Sequence, residues 1–319
     1  MIERKLASTR DAYGKTLIEL GRVNPNIVVL DADLAVSTRT SLFAKEFPNR
    51  FFNLGVAEQD LIGVAAGLAT TGKTVFASTF AVFGSGRAWD QVRISIAYPR
   101  LNVKIVVTHA GITTGEDGVT HQATEDIAIM RALPNMTVII PADAIETAKA
   151  IRAVAAFHGP AYIRLSRPST PLIYENENYN FTIGKGIVMK EGKDITIIAT
   201  GIMVGAALDA AELLSKEGIS SKVINIHTIK PLDKELIINS AKETNAVVTA
   251  EEHSIIGGLG GAVSEVLSEN YPTPIARVGI KDMFAESGKP QELLEKYGLT
   301  AEYIYSAAKS VLSKKKSYG

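Results

Sequence analysis

The sequence has no cysteine among its 319 residues, which removes disulfide frameworks, thiolate metal centres and cysteine nucleophiles at one stroke. It also lacks an excess of either charge: Lys plus Arg and Asp plus Glu each total 34, so the formal net charge is zero. No long-range field draws nucleic acid or an anionic membrane toward it. Long apolar runs are missing too. The least charged stretch, Leu61 to Gly86, is broken by Lys73 and rich in Gly, Ala, Ser and Thr. A spanning helix needs about 20 predominantly apolar residues. The N-terminal residues carry no apolar signal core. These absences read as a soluble, cytoplasmic protein with no membrane or nucleic-acid partner.

What is present is ordinary globular composition, 46% apolar and 21% charged, on a chain long enough for about two domains. Short runs rich in β-branched residues occur at Asn26–Asp31, Thr74–Ser78, Lys104–His109, Thr137–Ile140 and Ala161–Leu165. Between them, Glu58–Leu68, Ala81–Ile96, Asp126–Ala132 and Asp143–Phe157 have helical spacing, and Asp143 reads as a cap. Apolar strands alternating with helices predict a parallel sheet covered on both faces. Arg167–Tyr179 has two prolines and no period, and marks a linker. The alternation then resumes, with strands at Asp194–Ala199, Lys222–Ile226, Ala246–Glu251 and Ile275–Val278. Helices are expected at Met203–Glu217, Asp233–Glu243, Gly261–Glu269, Gln291–Lys296 and from Ala301. The predicted fold is α/β, with two doubly wound domains: residues 1–168, a linker over 169–185, and residues 186–319.

Ligands in open α/β sheets bind beyond the carboxyl ends of the strands, so polar clusters just after strands are the candidates. The first is Asn53 to Gln59, where Glu58 opens a helix of small apolar residues. Glu58 is either a first-turn carboxylate favoured by the helix dipole or a poorly solvated group seeking a partner. The second contains Phe80 and Phe83, which share one face if helical and either fill the core or line a slot for a flat heterocycle. The third, Thr108 to Gln122, crowds His109, Glu116, Asp117 and His121 among three glycines. Such loops carry function, and no compact histidine pair on one helix face supports a metal. The fourth is a scatter of anion binders, Arg10, Ser37 and Arg167. In the second half, Glu251-Glu252-His253 precedes Gly257-Gly258-Leu259-Gly260-Gly261, which reads as tight helix–strand packing rather than a dinucleotide loop. His158 and His227 read as structural.

Together these clusters resemble the transketolase family over essentially the whole chain, as its pyrimidine-binding domain followed by its C-terminal domain. Gly55-Val56-Ala57-Glu58-Gln59 resembles the family's glutamate motif, and Thr108 to Gln122 is similar to its signature loop. The resemblance implies thiamine diphosphate as cofactor, with a place in the pentose phosphate pathway of carbohydrate metabolism. It implies that Glu58 bonds the aminopyrimidine ring nitrogen and favours the imino form that removes the thiazolium proton. Phe80 and Phe83 would pack on the pyrimidine, and Asp33 would lie at the cofactor near a subunit boundary. His109 would bind substrate hydroxyls, Asp117 the donor hydroxyl, and His121 would assist proton transfer. Arg10, Ser37 and Arg167 would hold a sugar phosphate. One local departure is Gly86, followed by Arg87, where many members place a further aromatic.

A larger departure is an absence. Full-length members hold magnesium and the diphosphate through a Gly-Asp-Gly motif and a later asparagine on an N-terminal domain, and this sequence has no Gly-Asp-Gly and no residues before Met1 to carry one. The expectation is the C-terminal subunit of a split transketolase, with no metal ligands of its own. An N-terminal partner would carry the diphosphate-binding domain with Mg2+ or Ca2+, in an α2β2 heterotetramer acting on sugar phosphates. The rivals are a deoxyxylulose-phosphate synthase-like chain and a 2-oxoacid dehydrogenase β-type subunit, whose signature loops usually lack a histidine at the position of His109. A non-catalytic scaffold subunit and a nicotinamide oxidoreductase are the readings from other classes.

Overall fold

The structure, a computed structural model, describes residues 4–176 and 178–318, with side chains described up to Lys314. In chain order the principal strands are Ile27–Asp31 (β1), Phe51–Asn53 (β2), Thr74–Phe80 (β3), Val103–Thr108 (β4), Thr137–Ile139 (β5) and Ala161–Arg164 (β6). They continue as Ile187–Lys190 (β7), Ile195–Ala199 (β8), Ser221–Asn225 (β9), Thr228–Lys230 (β10), Val247–Ser254 (β11) and Ile275–Ile280 (β12). Strands β1, β3, β4, β5 and β6 are buried along their whole length, which suits a sheet covered on both faces. The first sheet has the order β10-β5-β6-β4-β3-β1-β2, parallel except for β10. The second has the order β12-β11-β8-β9-β7, parallel except for β7.

The two sheets share apolar packing. One buried cluster continues from Leu30, Val75 and Ile105 in the first sheet to Ile198, Ile224 and Val263 in the second unit. The outer faces have their own cores, one around Tyr13, Phe76 and Ile151 and one around Ile197, Val204 and Ile304. This continuity packs the second unit against the first through one common core. Among the described residues no helix is long and apolar enough to cross a membrane.

Several local expectations need correction. Ala81–Ile96 is not one helix: it breaks into the π-helical turns Phe83–Arg87 and Val92–Ala97 around a short turn at Trp89–Gln91. Phe80 closes β3, so it shares no helical face with Phe83. The helix Glu58–Thr70 is not buried all round, because Gln59, Asp60, Gly63 and Gly67 are exposed. An unexpected helix, Thr9–Val23, is opened by Ser8, whose hydroxyl accepts from Asp11 N at 3.1 Å. Strands β2, β7 and β10 were also not legible, being edge strands or short. Strand β10 leaves the second unit and pairs with β5, which mixes the two sheets in sequence.

The aperiodic segment after Arg167 pairs briefly at Thr170–Pro171 with Leu6–Ala7, antiparallel, and is otherwise held by side chains. Asp143 caps Ala144–Ala156 by accepting from Glu146 N at 2.8 Å. Its other oxygen accepts from Ile173 N at 2.7 Å and Tyr174 N at 3.0 Å. One buried carboxylate thus satisfies a helix terminus and two segment amides. Replacing it orphans all three donors, so Asp143→Ala is expected to lower stability by about 3 kcal/mol. Denaturant unfolding of the purified chain measures this, and a loss below about 1 kcal/mol would show that water replaces the carboxylate.

Candidate active site

The carboxyl ends of neighbouring strands β2, β1, β3, β4 and β6 open on one edge, and the loops that leave them meet there. Beyond β1, buried Asp31 shapes the first turn: it accepts from Leu34 N at 2.5 Å, Thr38 Oγ1 at 2.7 Å and Thr40 Oγ1 at 2.9 Å. Burial pushes this carboxyl up to about 6 despite those bonds. The turn presents Asp33, exposed and in the left-handed region, whose carboxylate accepts from Asn53 Nδ2 at 2.8 Å. It also presents Ser37, whose carbonyl accepts from Arg10 Nη1 at 2.8 Å.

Arg10 reaches across with Nη2 to the carbonyl of Arg167 at 2.7 Å. Arg167 in turn bonds the carbonyl of Thr114 at 2.5 Å and Glu116 Oε2 at 3.0 Å. Arg10, Ser37 and Arg167, far apart in sequence, are therefore neighbours. The contacts made at Ser37 and Arg167 by Arg10 are to backbone carbonyls, so Arg10 acts as a clamp on the loops as well as a local positive charge.

The glutamate and aromatic clusters form a continuous row. Glu58, at the start of its helix, is only 4% exposed, and both its oxygens are met by Arg87 Nη1 at 3.2 and 3.3 Å. The half-exposed Arg87 lies 4.1 Å over the ring of Phe83. Phe83 stacks on Phe80 at 6.0 Å and 18°, and Phe80 on the imidazole of His109 at 3.7 Å and 22°. His121, half-buried and in a turn rather than a helix, packs edge-on against Phe83 at 5.2 Å. An arginine side chain thus covers the end of the row, while Gly86 faces open space.

His109 joins this row to the arginines. It is buried, it adopts φ of 58°, and its Nδ1 lies 2.9 Å from Thr108 Oγ1. A bulky residue in that conformation is strained and persists only where its surroundings hold it. Burial first, and then the charges of Arg10, Arg167 and His121, drive its pKa down to about 3. The four predicted clusters are thus one site in space. Asp117 and Asp33 are both exposed. Among the described residues no group of three or more His, Asp or Glu could hold a metal ion.

The site is an open face. A cavity of about 650 Å3 lies elsewhere, between Met203–Ser215, Pro290–Lys296 and residues 168–171, and meets the signature loop only at Thr113. Next to the site residues the chain exposes Val36 (71%), Val56 (72%), Phe52 and Val119. Sequence reasoning did not assign a site role to Asp31 or Arg87. A carboxylate closing an apolar strand was a usable signal for Asp31. Arg87 had none, because its position depends on the broken helix around it.

Residues 5–172 match the transketolase pyrimidine-binding domain family, and residues 184–304 match the transketolase C-terminal domain family. The chain belongs to the transketolase family. It is 58% identical over 297 residues to a protein of Methanocaldococcus jannaschii described as a transketolase C-terminal section, covering 92% of this chain and 93% of that one. A 6-deoxy-6-sulfo-D-fructose transketolase subunit of Clostridium is 48% identical, covering 96% and 95%. A solved split-gene transketolase, described as an inactive β4 tetramer, superposes with a TM-score of 0.91 at 57% identity, covering 97% of this chain and 99% of that one. The family supports a transketolase-type, thiamine-dependent function.

The field at His109 has a measurable consequence. An unfolded histidine protonates near 6.5 and this one does not, so the group withdraws stability as pH falls from about 6.5 toward 3. In NMR spectra of ring-labelled protein, the signal lost in His109→Gln should hold its position between about pH 8 and 5. A midpoint between 6 and 7 would mean the ring is more solvated than its packing indicates.

Proposed function

We propose that this chain is the catalytic C-terminal subunit of a two-subunit transketolase. It would transfer a two-carbon ketol unit from a ketose phosphate to an aldose phosphate with thiamine diphosphate. The observation that carries the proposal is the buried carboxylate of Glu58, held at an open face by a half-exposed arginine beside a stacked aromatic pair. A buried carboxylate needs a partner, and a surface arginine is one that an incoming ring can displace.

The residues present fit the pyrimidine end of the cofactor. Glu58 would bond the ring nitrogen and bias its tautomer, while Phe80 and Phe83 offer flat apolar surface to the ring. Among the described residues no group of three or more His, Asp or Glu is placed to ligate the metal that accompanies the diphosphate. That part is assigned to an N-terminal subunit carrying Mg2+ or Ca2+. When bound, thiamine diphosphate supplies the electron sink for breaking and forming the bond beside the ketose carbonyl.

Other residues of this chain would bind and orient the sugar. His109, neutral at working pH and bonded through Nδ1, would address substrate hydroxyls with Nε2. His121, whose Nδ1 lies 2.9 Å from Thr120 Oγ1, would exchange protons through Nε2. Arg10, Arg167 and the turn at Ser37 would meet the phosphate, with Glu116 yielding Arg167 to it. Asp117 would contact the donor and Asp33 the cofactor side of the boundary. The exposed Val36, Phe52, Val56 and Val119 suit a face covered by a partner chain. The tetramer formed by the split-gene relative, inactive in that state, supports self-association and dependence on a second subunit. The sulfofructose relative supports ketol transfer as the class and leaves the sugar to be determined by assay.

The test pairs the chain with its N-terminal subunit and offers xylulose 5-phosphate plus ribose 5-phosphate, or pyruvate in their place. Ketol transfer is expected with the sugars only. Glu58→Gln should lower kcat by about 100-fold or more. Turnover of pyruvate, or full activity in E58Q, would refute the assignment.

A further inference from the structure

Buried acidic groups outside the site remain unexplained by this function, and Glu252 is the one that reaches the signature loop. It lies on β11 in the second unit and is 4% exposed. Its Oε1 accepts from Thr113 N at 2.7 Å, across 139 residues of sequence. Gly111 makes room for it: with φ of 75°, a Cβ there would fall 2.2 Å from the Glu252 carboxyl carbon. Burial pushes the Glu252 carboxyl up to about 7, with the nearby Arg164 opposing. Placing a carboxyl in such surroundings is unfavourable unless it does something an apolar side chain cannot.

What it does is traceable bond by bond. Thr113 is followed by Thr114, whose hydroxyl donates to the carbonyl of His109 at 2.7 Å and whose own carbonyl accepts from Arg167. The amide that Glu252 holds is therefore one residue from the group that fixes both His109 and Arg167. The same strand supports the far end of the loop: Ser254 N donates to Thr124 O at 2.7 Å and Ala128 N to His253 Nε2 at 3.3 Å. Gln122 donates to the carbonyl of Glu286 at 3.0 Å. Glu252, His253, Ser254 and Glu286 all belong to the second unit.

We infer that Glu252 is a positioning residue for catalysis: through Thr113 it sets the loop that carries His109, Asp117 and His121. The inference rests on the proposed ketol transfer and assigns a role in it to the second domain. Glu58, Phe80 and Phe83 stand on other elements and meet this loop only through ring contacts at His109 and His121, so the bond should affect cofactor binding far less than donor binding.

The reconstituted two-subunit enzyme provides the test. Glu252→Ala should lower kcat/KM for the ketose donor by about tenfold or more. The Kd for thiamine diphosphate should change by less than about twofold. Glu252→Gln keeps an amide oxygen for Thr113 N and should restore most of the loss. Gly111→Ala should also be impaired, and because E252A opens space for the new Cβ, the double variant should lose less than the product of the two single losses. In the chain alone, E252A should speed hydrogen exchange at the Thr113 amide by about tenfold. Unchanged donor kinetics in E252A, or cofactor affinity falling in step with activity, would overturn the inference. An inactive wild-type complex would instead refute the proposed function, and unchanged Thr113 exchange would then still decide against the role of Glu252.

Discussion

The guanidinium of Arg164 occupies the seam between the two sheets, and the arrangement of the molecule turns on it. It is nearly fully buried at the end of β6. Nε donates to Asp126 Oδ2 at 2.8 Å, and Nη2 donates to the carbonyls of Ala123 and Glu252 at 3.1 and 3.0 Å. Asp126 also accepts from the hydroxyl of buried Tyr162 at 2.7 Å. One side chain of the first sheet thus binds the exit of the signature loop, the helix that follows it and a strand of the second sheet. Buried ion pairs add little net stability over apolar packing, but breaking one by removing a partner costs several kcal/mol, about 3–5. Such a group fixes geometry more than it adds cohesion. The apolar cluster shared by both sheets supplies the cohesion.

With the seam fixed, the site follows from two kinds of contact. Strand pairing puts the ends of β1, β3 and β4 side by side, within reach of one ligand. Side-chain contacts then order a row of groups from Glu58 through Arg87, Phe83 and Phe80 to His109. Charge is compensated at each end: a carboxylate by Arg87, and Arg167 by Glu116. Both arginines are accessible enough to be displaced or recruited by an anionic or planar ligand. The histidine between them is kept neutral by burial and by the cations nearby, which suits it to hydrogen bonding rather than to carrying charge. The remaining open face, with its exposed valines, is consistent with a site completed by another chain.

The glycine motif of the second unit shows how a sequence pattern can be misread as a ligand loop. A Cβ at Gly258 would fall 2.0 Å from Glu251 Oε2, and one at Gly260 would fall 2.8 Å from Thr249 Oγ1. The amides of Leu259 and Gly260 donate to Glu251 at 2.7 and 2.8 Å. The glycines let a helix start close against a strand, with an internal carboxylate where a cofactor phosphate would otherwise be sought. His227, buried and stacked on Phe181 at 4.2 Å, is structural in the same sense.

The alternation of short β-branched runs with helical spacing was readable because both periods are local. Of the strands that carry the site, β1, β3, β4 and β6 matched their expected positions to within a few residues, whereas β2 was not expected. Glu58, Phe80, His109 and His121 were readable as candidates because their residue types stood just past apolar runs, where side chains leave a sheet. Their mutual arrangement was not readable. The stacking of Phe80 on His109, the closure of Glu58 by Arg87 and the insertion of β10 beside β5 all depend on which segments pack together. The bond from Glu252 to Thr113 joins residues 139 apart, and no local pattern encodes it. Sequence determined the periodicity and the chemistry available at each strand end, since these depend on neighbours along the chain. Tertiary structure decided which of those groups meet, because only the packing of two sheets against a shared core brings distant residues within bonding distance.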